Sequence, residues 1–501
     1  MDFVFRTAVW GDAYTDLFLE VTLPTILAEC NLPRFAEAHA GNRLYNICTT
    51  HQDAMRIKQS RHYAHLRDIL DITFVYDDTL TNPPETRVES STEKKYNLFV
   101  RLLEKTISTT ADQNAFLIGI NPDVYSNHFF PRLLEHAKEG KKLVYSGYFR
   151  VQTESFVPAF LERLSTELPR NGISSRQMIA LGMSHLHNQS ERWFWDNPGF
   201  RSDWPAHTYQ RVGDEGFILN GFHLGAVMLK PPKGVPVYPR TADGSRHRTD
   251  ELSIDGNSYL TRAFPDENEI HFATDSDELC YLDMLSKDTY NASSLSDGQP
   301  DLAGVAYWMS EWTNPSQRHC FRKSILFHKE NLNSKWRQKQ TEAEARVDVC
   351  FDMFDAFEKL PALKHGFDQL HQETRKNEES ASLLNVIGLE LYNIGLADQA
   401  AAVWQKASEI YPGRSEYLRN LSMYHQDKGD FEASRRFMSL AHDAEPSNVD
   451  IAKILIAMLF KENQLLRAKE VADELLGRKS DPAIAHLSSL VDKAIELNQR
   501  A

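Results

Sequence analysis

The first 150 residues alternate between short apolar runs and longer segments of helical period. "FVFRTAVW" has the pattern of a buried strand. In the following "GDAYTDLFLEVTLPTILAEC", Tyr14, Leu17, Phe18 and Val21 share one helical face, and Pro24 kinks or restarts the helix. "RLYNICTT" and "ITFVY" predict a second and a third strand. "STEKKYNLFVRLLEKTI" places Tyr96, Phe99, Val100 and Leu103 at the helical spacing, and "AFLIGI" and "KKLVYSGYFRV" predict a fourth and a fifth strand. Such alternation predicts a mostly parallel sheet covered by helices. Ligands in these sheets bind beyond the carboxyl ends of the strands, so "WGDAY", "CTT" and "NPD" become the places to look.

Residues 151–345 are less regular. They hold an aromatic cluster ("ERWFWDNPGF"), an apolar strand ("GFHLGAVMLKPP"), a polar stretch ("TADGSRHRTDELSIDGNSY") and a strand ending in acids ("EIHFATDSDE"). The basic "RHCFRKSILFHKENLNSKWRQK" predicts helix. From about residue 380 the pattern becomes helical with a repeat. Gly395, Gly429 and Asn463 stand 34 residues apart, as do Ala400, Ser434 and Ala468, Ala407 and Ala441, and Pro412 and Pro446. A 34-residue helix-turn-helix period with small residues at helix crossings predicts a tetratricopeptide-like superhelix, and four coincident steps favour it over an ordinary bundle. "PAIAHLSSLVDKAIELNQ" would cap the stack.

A 501-residue chain is too long for one core, so several domains are expected. The boundaries read as an α/β domain at 1–345, with halves at 1–150 and 151–345, a helical linker at 346–379 and the repeats at 380–501. A net charge of −14 argues against a general nucleic-acid binder. Five scattered cysteines with no CxxC pair suit a reducing cytosol. The first residues lack a signal-peptide pattern, and no apolar run approaches the roughly 20 residues of a membrane helix. The expectation is a cytoplasmic protein, with peripheral attachment at the inner face of a membrane compatible with it.

In "NPDVYSN", Asn121 and Asp123 stand two apart after a strand, a spacing at which two oxygens grip a divalent cation; Asn-Pro-Asp is equally good turn chemistry. Trp10 and Tyr14 offer faces to a nucleotide base, and Asp12 an acceptor, or the aromatics fill core. Thr50 donates to a ligand or caps the next helix, and Lys95 reaches a phosphate or stays solvated. Asp277 and Glu278 are a general base on an acceptor hydroxyl or helix-start acids. His223 is a core histidine, or a third metal ligand if its strand lies by the cation. His185 and His187, two apart on a helix, make a poor metal pair. GxSxG, P-loop, HExxH and GxGxxG motifs are all missing, which removes the common hydrolase, NTPase, zincin and dehydrogenase motif readings.

"AVWGDAYTDLFLEVTLPTILAECNLP", "LYNICTTHQDA", "FLIGINPDVYSN", "FHLGAVMLKP" and "IHFATDSDE", in that order, resemble bacterial glycosyltransferases of GT-A type over roughly residues 1–300. The resemblance implies a nucleotide-sugar donor at Trp10, Gly11, Asp12, Tyr14, Thr50, Lys95, Asn121 and Asp123. It implies Mn²⁺ or Mg²⁺ held through Asp123, which matches the second acid of the family's DxD motif, with His223 as a further ligand. Asn121 departs from that motif at its first position, which puts metal dependence in question. Asp277, then Glu278, is the expected base of a hexosyl or related transfer to a glycan, lipid-linked or protein acceptor, as in surface polysaccharide biosynthesis. The repeats would bind the acceptor or a partner protein. Two alternatives stand beside this one: an interaction protein whose transferase domain has lost catalysis, and a sugar nucleotidyltransferase.

Overall fold

A computed structural model describes residues 1–76, 91–166, 172–200, 204–237, 254, 258–289, 302–361, 363–365, 378–478 and 481–500. The chain forms two compact units, Met1–Cys350 and Phe351–Ala501, dividing inside the helix Ser334–Lys359. No helix among the described residues is long and apolar enough to cross a membrane.

The first unit is built on a seven-stranded sheet of β1 (Phe3–Ala8), β2 (Arg43–Thr49), β3 (Asp71–Tyr76), β4 (Phe116–Gly119), β6 (Leu143–Ser146), β10 (Gly225–Leu229) and β11 (Ile270–Ala273), in the order β11-β6-β10-β4-β1-β2-β3. The β3-β2-β1-β4 half is parallel throughout, β6 and β11 are parallel to each other, and β10 runs antiparallel to both neighbours. Period-two alternation sends side chains to opposite faces. Phe3, Phe5, Phe116 and Ile118 enter one core, and Val4 and Leu117 the other. Helical segments cover both faces, as the continuous apolar runs of β1 and β4 require.

Two three-stranded sheets complete the unit. One joins β5 (Val124–Tyr125), β12 (Tyr281–Leu285) and β7 (Tyr148–Gln152); the other joins β13 (Ile325–His328), β9 (Gly216–Gly221) and β8 (His207–Arg211). They explain three departures from the sequence reading. "KKLVYSGYFRV" is two strands in two sheets, changing sheet at Gly147, where a Cβ would lie 3.0 Å from Ile325 and 3.1 Å from Phe327. "GFHLGAVMLKPP" splits likewise, leaving His223 between β9 and β10. The basic stretch expected to be helical is a helix (Pro315–Phe321), then β13, then the long helix from Ser334, because "SILFH" is an apolar run that pairs with β9. "TADGSRHRTDELSIDGNSY" lies almost wholly outside the described residues.

In the second unit the helices Ser415–Asp427 and Val449–Lys461 are offset by 34 residues, as are Ala397–Ile410, Phe431–Ala444 and Leu465–Arg478. This is a tetratricopeptide-like repeat, with the helix Pro482–Arg500 after it. Gly395, Gly429 and Asn463 hold φ of 87°, 77° and 59°, the left-handed turn that ends each first helix. Packing between paired helices trades volume at equivalent positions. Gly388 lies under Trp404, where a Cβ would stand 2.3 Å from the indole nitrogen. One repeat on, the pair is Ser422 and Met438; two on, it is Ile456 and Ala472, all buried.

Candidate functional site

The strand order reverses at β1, since β2 and β3 lie on one side of it and β4 on the other. A crevice opens at the carboxyl ends of strands where such a reversal occurs. Here it is a cavity of about 380 Å³. Ala8, Val9 and Trp10 line it from the end of β1, Gly119 and Asn121–Asp123 from the end of β4, Gly225–Val227 from β10, and Asp283–Leu285 from β12. Tyr14 stands at its lining with 42% exposure. Arg6, on the same face of β1 as Val4, is a buried cation in that lining.

The turn after β1 is fixed by a residue the sequence reading passed over, Asp53, 3% exposed. Its carboxylate accepts from the Gly11 backbone N–H (3.0 Å), Thr15 Oγ1 (3.1 Å) and Thr50 Oγ1 (2.8 Å). Gly11 has φ of 79° and ψ of 153°, a conformation that side chains resist. Thr50 caps the helix His51–Gln59 by accepting from the Asp53 N–H at 3.0 Å, so its capping role is the one realised. Asp12 is exposed and paired with Arg56 at 3.0 Å. Of this group Trp10 and Tyr14 reach the cavity; Gly11, Asp12 and Thr50 do not line it.

The turn after β4 carries the central carboxylate. Asp123 is 4% exposed, and its backbone carbonyl accepts from Thr22 Oγ1 at 2.9 Å. Burial pushes its carboxyl well above the usual carboxylate range, and the neighbouring Asp283 pushes it further; hydrogen bonds from the Asn121 side chain and the Met284 N–H, and the charge of Arg150, act the other way. Asn121 therefore serves Asp123 as a donor. Its backbone N–H donates to Tyr125 Oη at 2.9 Å, and Tyr125 is itself raised by burial and by Asp123. Asp283 pairs across β7 and β12 with Arg150, whose Nε donates to Oδ2 at 2.8 Å and whose Nη1 reaches Gln189 Oε1 at 2.6 Å. Arg150 also lies over the Trp193 ring, 5.5 Å from its centroid. Tyr281 stacks between Tyr125 and Tyr148, with its hydroxyl against Gly225, where a Cβ would stand 2.0 Å away.

Asp277 and Glu278 are elsewhere. Asp277 takes Arg176 on both oxygens and Ser175 Oγ at 2.7 Å, which holds its carboxyl low despite partial burial. Glu278 Oε1 accepts from Nε2 of His136 (2.8 Å) and of His271 (2.6 Å). Neither residue lines the cavity. His223, 6% exposed, faces Gln317 at 3.5 Å and does not line the cavity either. His187 is no helix-interior residue: it caps the short helix Asn188–Glu191 through Nδ1. Lys95 lies on the helix Ser91–Asp112, and its side chain is outside the described residues. The acids brought together in the cavity are Asp123 and Asp283. Asp283 was signalled only by being the one charge in "CYLDML".

No family model matches the chain, and no curated protein matches it. Solved structures similar to it are helical repeats. The Sgt2 TPR domain from Aspergillus fumigatus is 19% identical and covers 24% of this chain and 82% of its own, with a TM-score of 0.21. The Yersinia enterocolitica type III secretion translocator chaperone SycD is 16% identical over 24% of this chain and 91% of its own, at 0.20. Pseudomonas aeruginosa PilF is 20% identical over 32% and 73%, at 0.23. The repeat assignment rests on the 34-residue helix offsets.

Proposed function

We propose that the first unit is a GT-A-type glycosyltransferase that moves a sugar from a nucleotide-sugar to a glycan, lipid-linked or protein acceptor. The observation that carries this reading is the buried Asp123 beside the half-buried Asp283 in a cavity at the strand-order reversal. Such a crevice suits a nucleotide, with Trp10 and Tyr14 offering faces for the base and Arg6 opposing phosphate charge. Two carboxylates on one cavity wall, with Asp283 adding to the raised proton affinity of Asp123, form a donor set suited to a hard divalent cation, Mn²⁺ or Mg²⁺. Asp123 and Asp283 are the residues to hold it, and its contribution would be to neutralise the leaving diphosphate. His223 has no place in that set. Asp277 and Glu278 do not line the cavity, so neither is placed to accept an acceptor's proton there. The repeats, whose Phe431 and Leu466 are 54% and 72% exposed, are proposed to bind the acceptor or a protein partner.

The test is a thermal-shift screen of nucleoside diphosphates and their sugars, with and without Mn²⁺, on wild type, Asp123→Asn and Asp283→Asn. A ligand at about 100 times its dissociation constant adds about 2.7 kcal/mol. Stabilisation by one nucleotide, strengthened by the metal and lost in both variants, is the expected result. No response to any nucleotide would end the donor-site reading and leave the repeat scaffold. Release of pyrophosphate in place of nucleoside diphosphate would reassign the site to nucleotidyl transfer.

A further inference from the structure

A second constellation lies outside the cavity. His136 stands on the last turn of the helix Phe129–Lys138, His271 on β11 at the edge of the main sheet, and Glu278 in the turn that follows β11. Both Nε2 atoms converge on one oxygen, Glu278 Oε1, at 2.8 and 2.6 Å. The imidazole rings stack with centroids 3.9 Å apart and planes inclined by 25°. Two hydrogen bonds to one oxygen do not require the rings to stack. The ligand atoms all lie within 4.8 Å of one another.

We propose that His136, His271 and Glu278 form a divalent transition-metal site at this sheet edge, with Zn²⁺ the ion best suited to it. Two imidazoles and a carboxylate are a borderline donor set that favours Zn²⁺ over Mg²⁺ or Ca²⁺. Zn–N and Zn–O bonds of about 2.0–2.1 Å in tetrahedral geometry put ligand atoms roughly 3.3 Å apart, so the observed contacts need open by roughly half an ångström. His136 Nδ1 faces Glu139 Oε2 at 3.4 Å, the outer carboxylate that fixes a metal-binding histidine's tautomer and ring. Side-chain exposure of 26% at both His271 and Glu278 leaves the fourth position open to water. One donor comes from a helix distant in the chain and two from β11 and the turn after it, so a bound ion would clamp the helix and the turn to the edge strand. The neighbouring trio Asp275, Asp277 and His328 makes the contrast, because the Arg176 guanidinium already covers both oxygens of Asp277. The cation proposed for the cavity is a separate matter: neither metal site depends on the other.

The experiment is a titration of the chelator-treated full-length protein with Co²⁺, read by the visible absorption of tetrahedral cobalt, followed by back-titration with Zn²⁺ against a chromophoric chelator. One equivalent of cobalt, displaced by zinc with a rise in Tm, is expected. Affinity should fall at least 100-fold in His136→Gln and in His271→Gln, and roughly 10- to 100-fold in Glu139→Gln. Asp277→Asn should bind like wild type, and Asp123→Asn should keep the tetrahedral cobalt band. Absence of tetrahedral cobalt absorption in wild type would overturn the proposal, as would binding that survives the double histidine variant or disappears in Asp123→Asn. The wild-type titration decides even if a histidine variant fails to fold.

Discussion

Gly429→Ala isolates what the repeat turns contribute. Gly429 ends its helix at φ 77°, and a Cβ built there meets no atom within 4 Å. The cost is therefore purely one of backbone conformation. Placing an L side chain in the left-handed region costs about 1–2 kcal/mol. Reduced freedom of the unfolded chain returns about 0.4–1 kcal/mol of that. The net is a loss of about 1 kcal/mol, which for a unit of this size lowers Tm by about 2–4 °C. Gly477→Ala is the matched control: it sits in the helix Leu465–Arg478, also with open space around a Cβ, but with φ outside the left-handed region. There alanine should stabilise by about 0.5–1 kcal/mol. Urea denaturation of the full chain, followed by far-UV circular dichroism, compares the two. Shifts of the same sign would refute the reasoning, since only φ distinguishes the sites.

Trp404→Ala, which empties a fully buried indole packed on Gly388, should cost about 3–5 kcal/mol by the same denaturation assay. Asp53→Ala leaves the Gly11 N–H and the Thr15 and Thr50 hydroxyls without their shared acceptor and should cost about 3 kcal/mol; calorimetry should show it, and Asp53→Asn should recover part. Asp123 carries a pH prediction. Its folded-state proton affinity is raised, so its stabilising contribution is present in full below the unfolded carboxyl range and is lost as pH rises through the folded value. Asp123→Asn should therefore melt above metal-free wild type at pH 8, with the gap closing towards pH 4; a constant gap would contradict the raised proton affinity that burial gives Asp123.

Strands whose apolar character reaches both faces were legible, and so was the repeat, because each is written in local periodicity. β1, β2 and β4 fall within their predicted runs, β3 begins one residue before its own, and the helix offsets repeat the sequence offsets. Pro24, expected to kink or restart its helix, falls in the first turn of Leu23–Ile26, directly after a π-helical segment at Phe18–Thr22. What was hidden depends on long-range pairing. Nothing local says that "YLDML" pairs with "YFRVQ" and so sets Asp283 against Arg150 near Asp123. The same pairing fixes the chain around Glu278, which emerges between β11 and β12 facing two histidines rather than the cavity. Asp53 was invisible for another reason: it reads as an ordinary first-turn acid of a helix, and only the fold shows three donors aimed at it.

The volume trade along the repeats gives the stack a direction. Gly388 admits Trp404, while the equivalent positions hold Ser422 and Met438 one repeat on and Ile456 and Ala472 two on, all buried. Each unit is thus keyed to its own partner helix although the backbone period is uniform. A 34-residue cut made between the two helices of a unit would keep every helix and turn in place yet set the first helix of one unit against the second helix of another, so that Gly388 would face Met438 across a hole where Trp404 had been. Removing or doubling a whole unit, by contrast, keeps each such pair together. The points at which this array can be shortened or lengthened are therefore set by side-chain volume and not by the period of its backbone.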